Sequence, residues 1–412
     1  MTPAARPGLD TLYRDERARL LASVLARVDD FPLAEDAVHD AFAAAVEQWG
    51  DSRPPNPRAW LIRVALNKAL DRLRRRTRFH EMGPDALARM EAEPMPQRDS
   101  EIADERLRLV FTCCHPALAR EVQVALTLRT VAGLTTEEIA RLFFIEPAAM
   151  AQRLVRTQRK IRDSRIPYVV PGPEILAERL AGVLAVIYLV FTEGHAATAG
   201  ETLVRPELCD EAIRLGRLIV ELLPDEKEAR ALLALMLLHD ARRGARVVDG
   251  ELVLLEHQDR ARWNAAQMAE GLVLLDATLR AGANGTYAIQ AAIAGLHAVP
   301  RAADTDWPQI LALYDLLRGV QPGAVVELNR ALALAMARGA AAGLKALDGL
   351  HMRLQHNHLF HAARGGLLLR LGREREAARA YRATLRLVVH PIERRFLARR
   401  LRECGASNPM SE

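Results

Sequence analysis

Aromatic residues make up only 5% of this 412-residue chain, and alternating runs of β-branched residues are absent. Strands draw on those residue types, so a sheet protein is excluded. Abundant Ala, Leu and Arg favour helices, and the expected fold class is all-α. Cysteine is scarce too, with four residues of which Cys113 and Cys114 are adjacent. That is no disulfide framework. The longest apolar run, residues 180–191, has 12 residues, short of the roughly 20 that cross a bilayer. It is expected to form a buried helix. The N-terminus lacks a signal-peptide pattern, so the chain is expected to be cytoplasmic with no membrane partner. Gly-rich phosphate loops, nucleophile elbows and paired catalytic carboxylates are missing as well. No catalytic residue, cofactor or metal site is expected, and the protein is not expected to be an enzyme.

Positive charge is present, and it is concentrated. The formal net charge is only +5. Residues 53–78 hold nine Lys or Arg against one Asp, and residues 147–165 hold six against one. Between them, residues 79–105 carry eight acidic and two basic side chains. Two basic helices separated by an acidic linker suit a ligand with two patches of phosphate, such as duplex DNA. The length suggests two to four domains.

Residues 13–49 read as two helices. Leu33, Ala37, Val38, Ala41, Phe42, Ala45, Val46 and Trp49 recur at helical spacing and define an apolar face,. Asp36 and Asp40 lie opposite, four residues apart, where like charges weaken an isolated helix. They form either a solvated acidic face or a dock for a basic partner. Asn56 and Pro57 suit an N-cap and first turn. In the helix that follows, Leu61, Val64, Ala65 and Leu73 face inward, while Arg63, Asn67, Asp71 and Arg74 form one stripe. The acidic, proline-bearing linker is expected to be extended or mobile.

Thr135 and Glu138 form a capping box ahead of a short helix, a turn and a longer helix opened by Pro147. Met150, Leu154 and Ile161 face the core, and Ala149, Gln152, Arg153 and Arg156 share the outer face. This pattern fits a helix-turn-helix whose second helix enters the major groove. An ordinary helical hairpin with a basic outside is the alternative. Beyond residue 171 come helical hairpins with Gly or Pro breaks, including tetratricopeptide-like (TPR-like) segments at 371–381. Cys113-Cys114-His115 and the group His351, His356, His358 and His361 are read as structural, since neither has the spacing of a metal or hydrolase site.

These residues resemble bacterial RNA polymerase sigma factors of the extracytoplasmic-function (ECF) type. The matching stretches are Leu12-Tyr13-Arg14, residues 34–42 (AEDAVHDAF) and residues 58–71 (RAWLIRVALNKALD). Residues 105–165 resemble the domain that reads the minus-thirty-five element. Residues 111–116 (FTCCHP) and the extension match a subgroup with a C-terminal helical repeat. The resemblance implies sigma region 2 at 9–78, an acidic linker at 79–104, sigma region 4 at 105–166 and a helical TPR-like extension at 172–405. It implies core RNA polymerase docking by Asp36 and Asp40. Minus-ten DNA contact falls to Arg58, Trp60, Arg63, Asn67 and Arg74, with unstacked bases captured by stacking and edge contacts. Minus-thirty-five contact falls to Thr136, Ala149, Gln152, Arg153 and Arg156. Phe143-Phe144 stand where the family has Leu-Gly, so promoter sequence does not transfer. The extension is expected to contact the sigma domains within the chain and regulate them. Two other readings stay open: a stand-alone helix-turn-helix regulator with a sensory repeat domain, and a repeat scaffold whose basic N-terminus binds RNA.

Overall fold

The computed structural model describes residues 9–28, 30–49, 54–78, 99–143, 145–164, 166, 168–197 and 202–406. The chain divides into two units, residues 1–189 and 190–412. Among the described residues of the first unit are α1 (Leu9–Val28), α2 (Phe31–Gln48), α3 (Pro57–Arg78), α4 (Asp99–Cys113), α5 (Arg120–Thr130), α6 (Thr136–Leu142) and α7 (Pro147–Asp163). α8 (Pro173–His195) contributes its first part there.

α1, α2 and α3 pack into one bundle, its core formed by residues such as Leu20, Leu21, Leu33, Ala37, Leu61 and Leu73, each no more than 1% exposed. α2 starts where the Asp30 carboxylate accepts from the Leu33 N–H at 3.1 Å, with Pro32 in the first turn. The expected apolar face of α2 is buried except Val46, which is 44% exposed. α3 starts where Asn56 accepts from the Ala59 N–H at 3.0 Å, as its sequence suggested.

α4 corrects the linker reading. Helix begins at Asp99, so residues 99–104 are helical and not extended. Asp99 and Glu101 fall in the first turn of the helix, where the macrodipole favours negative charge. The rest of the expected linker, 79–98, lies outside the described residues. α5 ends at a turn in which Gly133 has φ 77°, a left-handed conformation that glycine adopts at little cost. The capping box of α6 is formed on both sides: Thr135 Oγ1 accepts from the Glu138 N–H at 3.1 Å, and Glu138 accepts from the Thr135 N–H at 2.7 Å.

α8 contains the expected buried run and is longer than it. Its 23 residues are long and apolar enough to cross a membrane by length and composition, with Ile175, Leu176 and Ala177 ahead of the run at 180–191. Leu180, Val183, Leu184, Val186, Ile187, Val190 and Phe191 are at most 3% exposed while Ile175 and Leu189 are 44% exposed, so one face of the helix is packed into the protein. Its first part is held to α4 and α5. Arg179 donates to the Phe111 carbonyl at 2.8 Å, and Arg120 donates to the Gly182 carbonyl at 3.0 Å.

The second unit continues with α9 (Pro206–Leu222), α10 (Lys227–Asp240), α11 (Arg243–Arg246), β1 (Val247–Val248), β2 (Glu251–Leu252), α12 (Ala265–Arg280), α13 (Thr286–Leu296), α14 (Trp307–Val320), α15 (Ala324–Arg338), α16 (Ala340–Asp348), α17 (His351–Leu354), α18 (His358–Arg370), α19 (Glu374–Leu387) and α20 (Pro391–Ala406). Long helices pack mainly on their sequence neighbours. Glu228 of α10 accepts from the Tyr287 and Ala288 N–H groups at 2.8 and 3.2 Å, capping the start of α13. The β1–β2 hairpin is unforeseen in the sequence reading. It turns on Asp249 and Gly250 with φ of 52° and 75°, the positive pair that a two-residue type I′ turn requires.

Candidate nucleic-acid interface

The α3 stripe is as the helical period requires. Arg63, Asn67, Asp71 and Arg74 are all exposed, while Leu61 and Ala65 are fully buried behind them. Arg74 pairs with Asp71 at 3.5 Å. Trp60 is half-buried at the head of the helix, edge-on to Trp49 with ring centroids 5.3 Å apart. Arg58 sits apart from that exposed stripe. Its guanidinium grips Glu16 of α1 with two bonds, at 2.7 and 2.9 Å.

Asp36 and Asp40 of α2 lie side by side, 69% and 35% exposed, and both reach Arg72 of α3, at 3.5 and 2.9 Å. The like-charge pair is therefore relieved from within. Asp36 keeps most of its surface open.

On α7, Met150, Leu154 and Ile161 are buried, at 0%, 5% and 6% exposure. Ala149, Gln152 and Arg156 are exposed and Arg153 is half-buried beside them. Thr136 is half-buried in the first turn of α6. Arg159 and Lys160 extend the exposed basic face, and Lys160 donates to the Ala117 carbonyl at 2.7 Å.

The structure also joins the two helical bundles through Glu35, next to Asp36. Its carboxylate accepts from Arg17 of α1, from Arg129 Nε of α5 at 2.9 Å and from Gln158 of α7 at 2.7 Å. Arg17, 2% exposed, also donates to the Arg129 carbonyl. Sequence reasoning missed this junction. The partners of Glu35 lie 18, 94 and 123 residues away, and no local period links them.

Cys113 and Cys114 are buried thiols. Cys113 Sγ lies 3.0 Å from Thr130 Oγ1. Burial pushes the Cys113 thiol well up and the Cys114 thiol up to about 11, so both stay protonated and poor ligands. His358 and His361 are half-buried, and His361 Nε2 lies 2.8 Å from the Gln355 carbonyl. Among the described residues, no group of three His, Cys, Asp or Glu is placed to hold a metal.

Residues 12–79 match the family model for sigma-70 region 2. The match defines the class of the N-terminal part: a sigma factor. Residues 179–279 match a family of unknown function, DUF6596. An uncharacterized protein of Rhizobium meliloti, R00370, is 39% identical over 410 residues, covering 97% of this chain and 96% of that one. The ECF RNA polymerase sigma factor SigE of Mycolicibacterium smegmatis is 27% identical over 161 residues, 39% of this chain and 62% of that one. The RNA polymerase sigma factor CnrH of Cupriavidus metallidurans is 31% identical over 137 residues, 31% and 70% respectively. No solved structure matches the chain. The chain belongs to the ECF-type sigma factors, its N-terminal part carrying the sigma homology and its C-terminal extension a separate helical domain.

Proposed function

We propose that this protein binds core RNA polymerase and directs transcription from a restricted set of promoters, as a cytoplasmic factor that catalyses nothing itself. The observation that carries the reading is the exposed Arg63, Asn67 and Arg74 stripe on α3, inside the segment matched to sigma-70 region 2. Residues 9–78 act as region 2 and residues 105–166 as region 4. The Asp36 and Asp40 edge of α2 docks on polymerase. Trp60 and the α3 stripe meet the melted minus-ten strand, with Arg58 setting the angle of α3 through Glu16. The α6–turn–α7 segment works as a helix-turn-helix, with Thr136 near the backbone and Ala149, Gln152, Arg153 and Arg156 toward the minus-thirty-five element.

The extension regulates these domains. Support comes from α8, whose first part is bonded to α4 and α5 through Arg179 and Arg120, so extension and sigma half share an element. The test is run-off transcription with purified core polymerase and a library of promoter fragments. Specific transcripts that depend on the added protein are expected. Transcription by core alone, unchanged on addition, would refute the reading.

A further inference from the structure

The second unit holds a cavity of about 740 Å³, within the range typical of small-molecule sites. Most of its wall is apolar, with Leu328, Leu332, Met336, Leu359, Ala363 and Phe396 prominent. Three arginines also line it, and they differ in one respect. Arg370 pairs with Glu256 at 2.8 Å and Arg400 with Glu403 at 2.5 Å. Arg260 has no ion pair among the described residues. Its side chain donates to backbone carbonyls of Val299, Leu255 and Gln258, at 3.1, 3.5 and 3.0 Å. Those bonds fix the guanidinium in place and leave its charge uncompensated.

A second layer of cations stands behind Arg260. Its Cζ lies 4.8 Å from the Trp263 ring centroid, and Arg242 Cζ lies 5.9 Å from the same ring. Arg242 is 8% exposed, its Nη2 lies 2.7 Å from His239 Nδ1, and its Nε has no hydrogen-bond partner among the described residues. Arg246, half-buried, meets His195, and its Nε is likewise unpartnered. Neither Arg242 nor Arg246 has an ion pair among the described residues. His297 lines the cavity beside Arg260 and is held down to about 4 by burial and by the charges of Arg242 and Arg260. It is therefore neutral near pH 7. Buried, like-charged guanidinium groups raise the energy of the empty site, and an anion beside Arg260 relieves them.

We infer that this cavity binds a small amphiphilic anion, with its head at Arg260 and its apolar body against the Leu332 and Ala363 wall. A carboxylate or a phosphate monoester head would supply the charge that Arg260 and Arg242 lack. The inference stands independently of the sigma-factor reading, since it uses only residues of the second unit.

The test uses the full chain, with 1-anilinonaphthalene-8-sulfonate as the fluorescent probe and decanoate, decyl phosphate and decanol as competitors. Decanoate or decyl phosphate should displace the probe at least ~10-fold better than decanol, because a charge-assisted hydrogen bond is worth about that factor or more. Whichever anion competes better identifies the head. Arg260→Ala should remove most of the preference for the anion and leave decanol unchanged. Ala363→Trp, which fills the apolar wall and spares the arginines, should weaken all three competitors. It keeps the inference testable if Arg260→Ala fails to fold. Equal displacement by decanol and both anions would overturn the proposal. So would undiminished anion binding in Ala363→Trp, displacement by inorganic phosphate as strong as by decanoate, or displacement by an acidic decapeptide alone.

Discussion

At the scale of single residues, Glu35 is the most consequential side chain in the first unit. One carboxylate answers Arg17, Arg129 and Gln158, and Arg17 is 2% exposed. Removing one partner of a buried pair costs about 3–5 kcal/mol, because the remaining charge is left uncompensated. Glu35→Ala should fall near 3 kcal/mol, since Glu35 itself is 17% exposed and Arg129 24%. Urea denaturation of the full chain measures this. Asp36→Ala, next in sequence, should change stability by no more than about 0.5 kcal/mol, since Asp36 is 69% exposed,. The α3 stripe was legible because it follows the 3.6-residue period, and so was the outer face of α7. Glu35 was not, because its value depends on three residues brought together only by tertiary packing.

At the scale of elements, α7 and α8 invite opposite experiments. Gln152→Ala and Arg153→Ala on α7 should each change promoter preference by about 1–3 kcal/mol where a base contact is lost. Folding should be unaffected, since Gln152 is exposed and neither side chain belongs to the core. Binding to promoter variants, measured by fluorescence anisotropy, separates a base contact from a uniform phosphate contact. Truncation after residue 170 should instead destabilise the first unit, because it removes the Arg179 bond to Phe111 and the apolar face of α8 with it. A thermal melt of residues 1–170 against the full chain would show this. Element starts were readable wherever a cap was present, as at Asn56 and at Thr135 with Glu138. The start of α4 was misread because its acidic residues looked like a solvated linker when they suit a helix N-terminus. The β1–β2 hairpin carried its own signal, Asp249-Gly250 between paired residues, but each strand is only two residues long.

At the scale of the molecule, the second unit should be acid-sensitive. Burial, reinforced by neighbouring arginines, holds His195 and His239 far below the usual imidazole range and His297 down to about 4. In the unfolded chain these groups bind protons below about 6.5. Between about pH 6.5 and 4 the unfolded state thus binds more protons than the folded one, so stability falls as pH falls through that window. Above about 6.5 these histidines contribute no pH dependence. The melting temperature should drop by roughly 5 °C or more from pH 7.5 to pH 5. The drop should shrink in His297→Gln, and differential scanning calorimetry of the full chain would test both.

All four cysteines are free and buried, Cys113 and Cys114 in the first unit and Cys209 and Cys404 in the second. A maleimide reagent reaches a thiol of this kind only when the surrounding structure opens, so labelling becomes a clock for local unfolding. The clock is addressed by location. Modification of Cys113, which touches Thr130 beside the Arg17 junction, times the opening of the first bundle pair. Cys209, packed under the end of α8 with its thiol pushed up to about 12, times the other unit. Tandem mass spectrometry of the three tryptic peptides that hold them, with Cys113 and Cys114 resolved by fragmentation of the peptide they share, would read both rates from one sample, with no engineered probe.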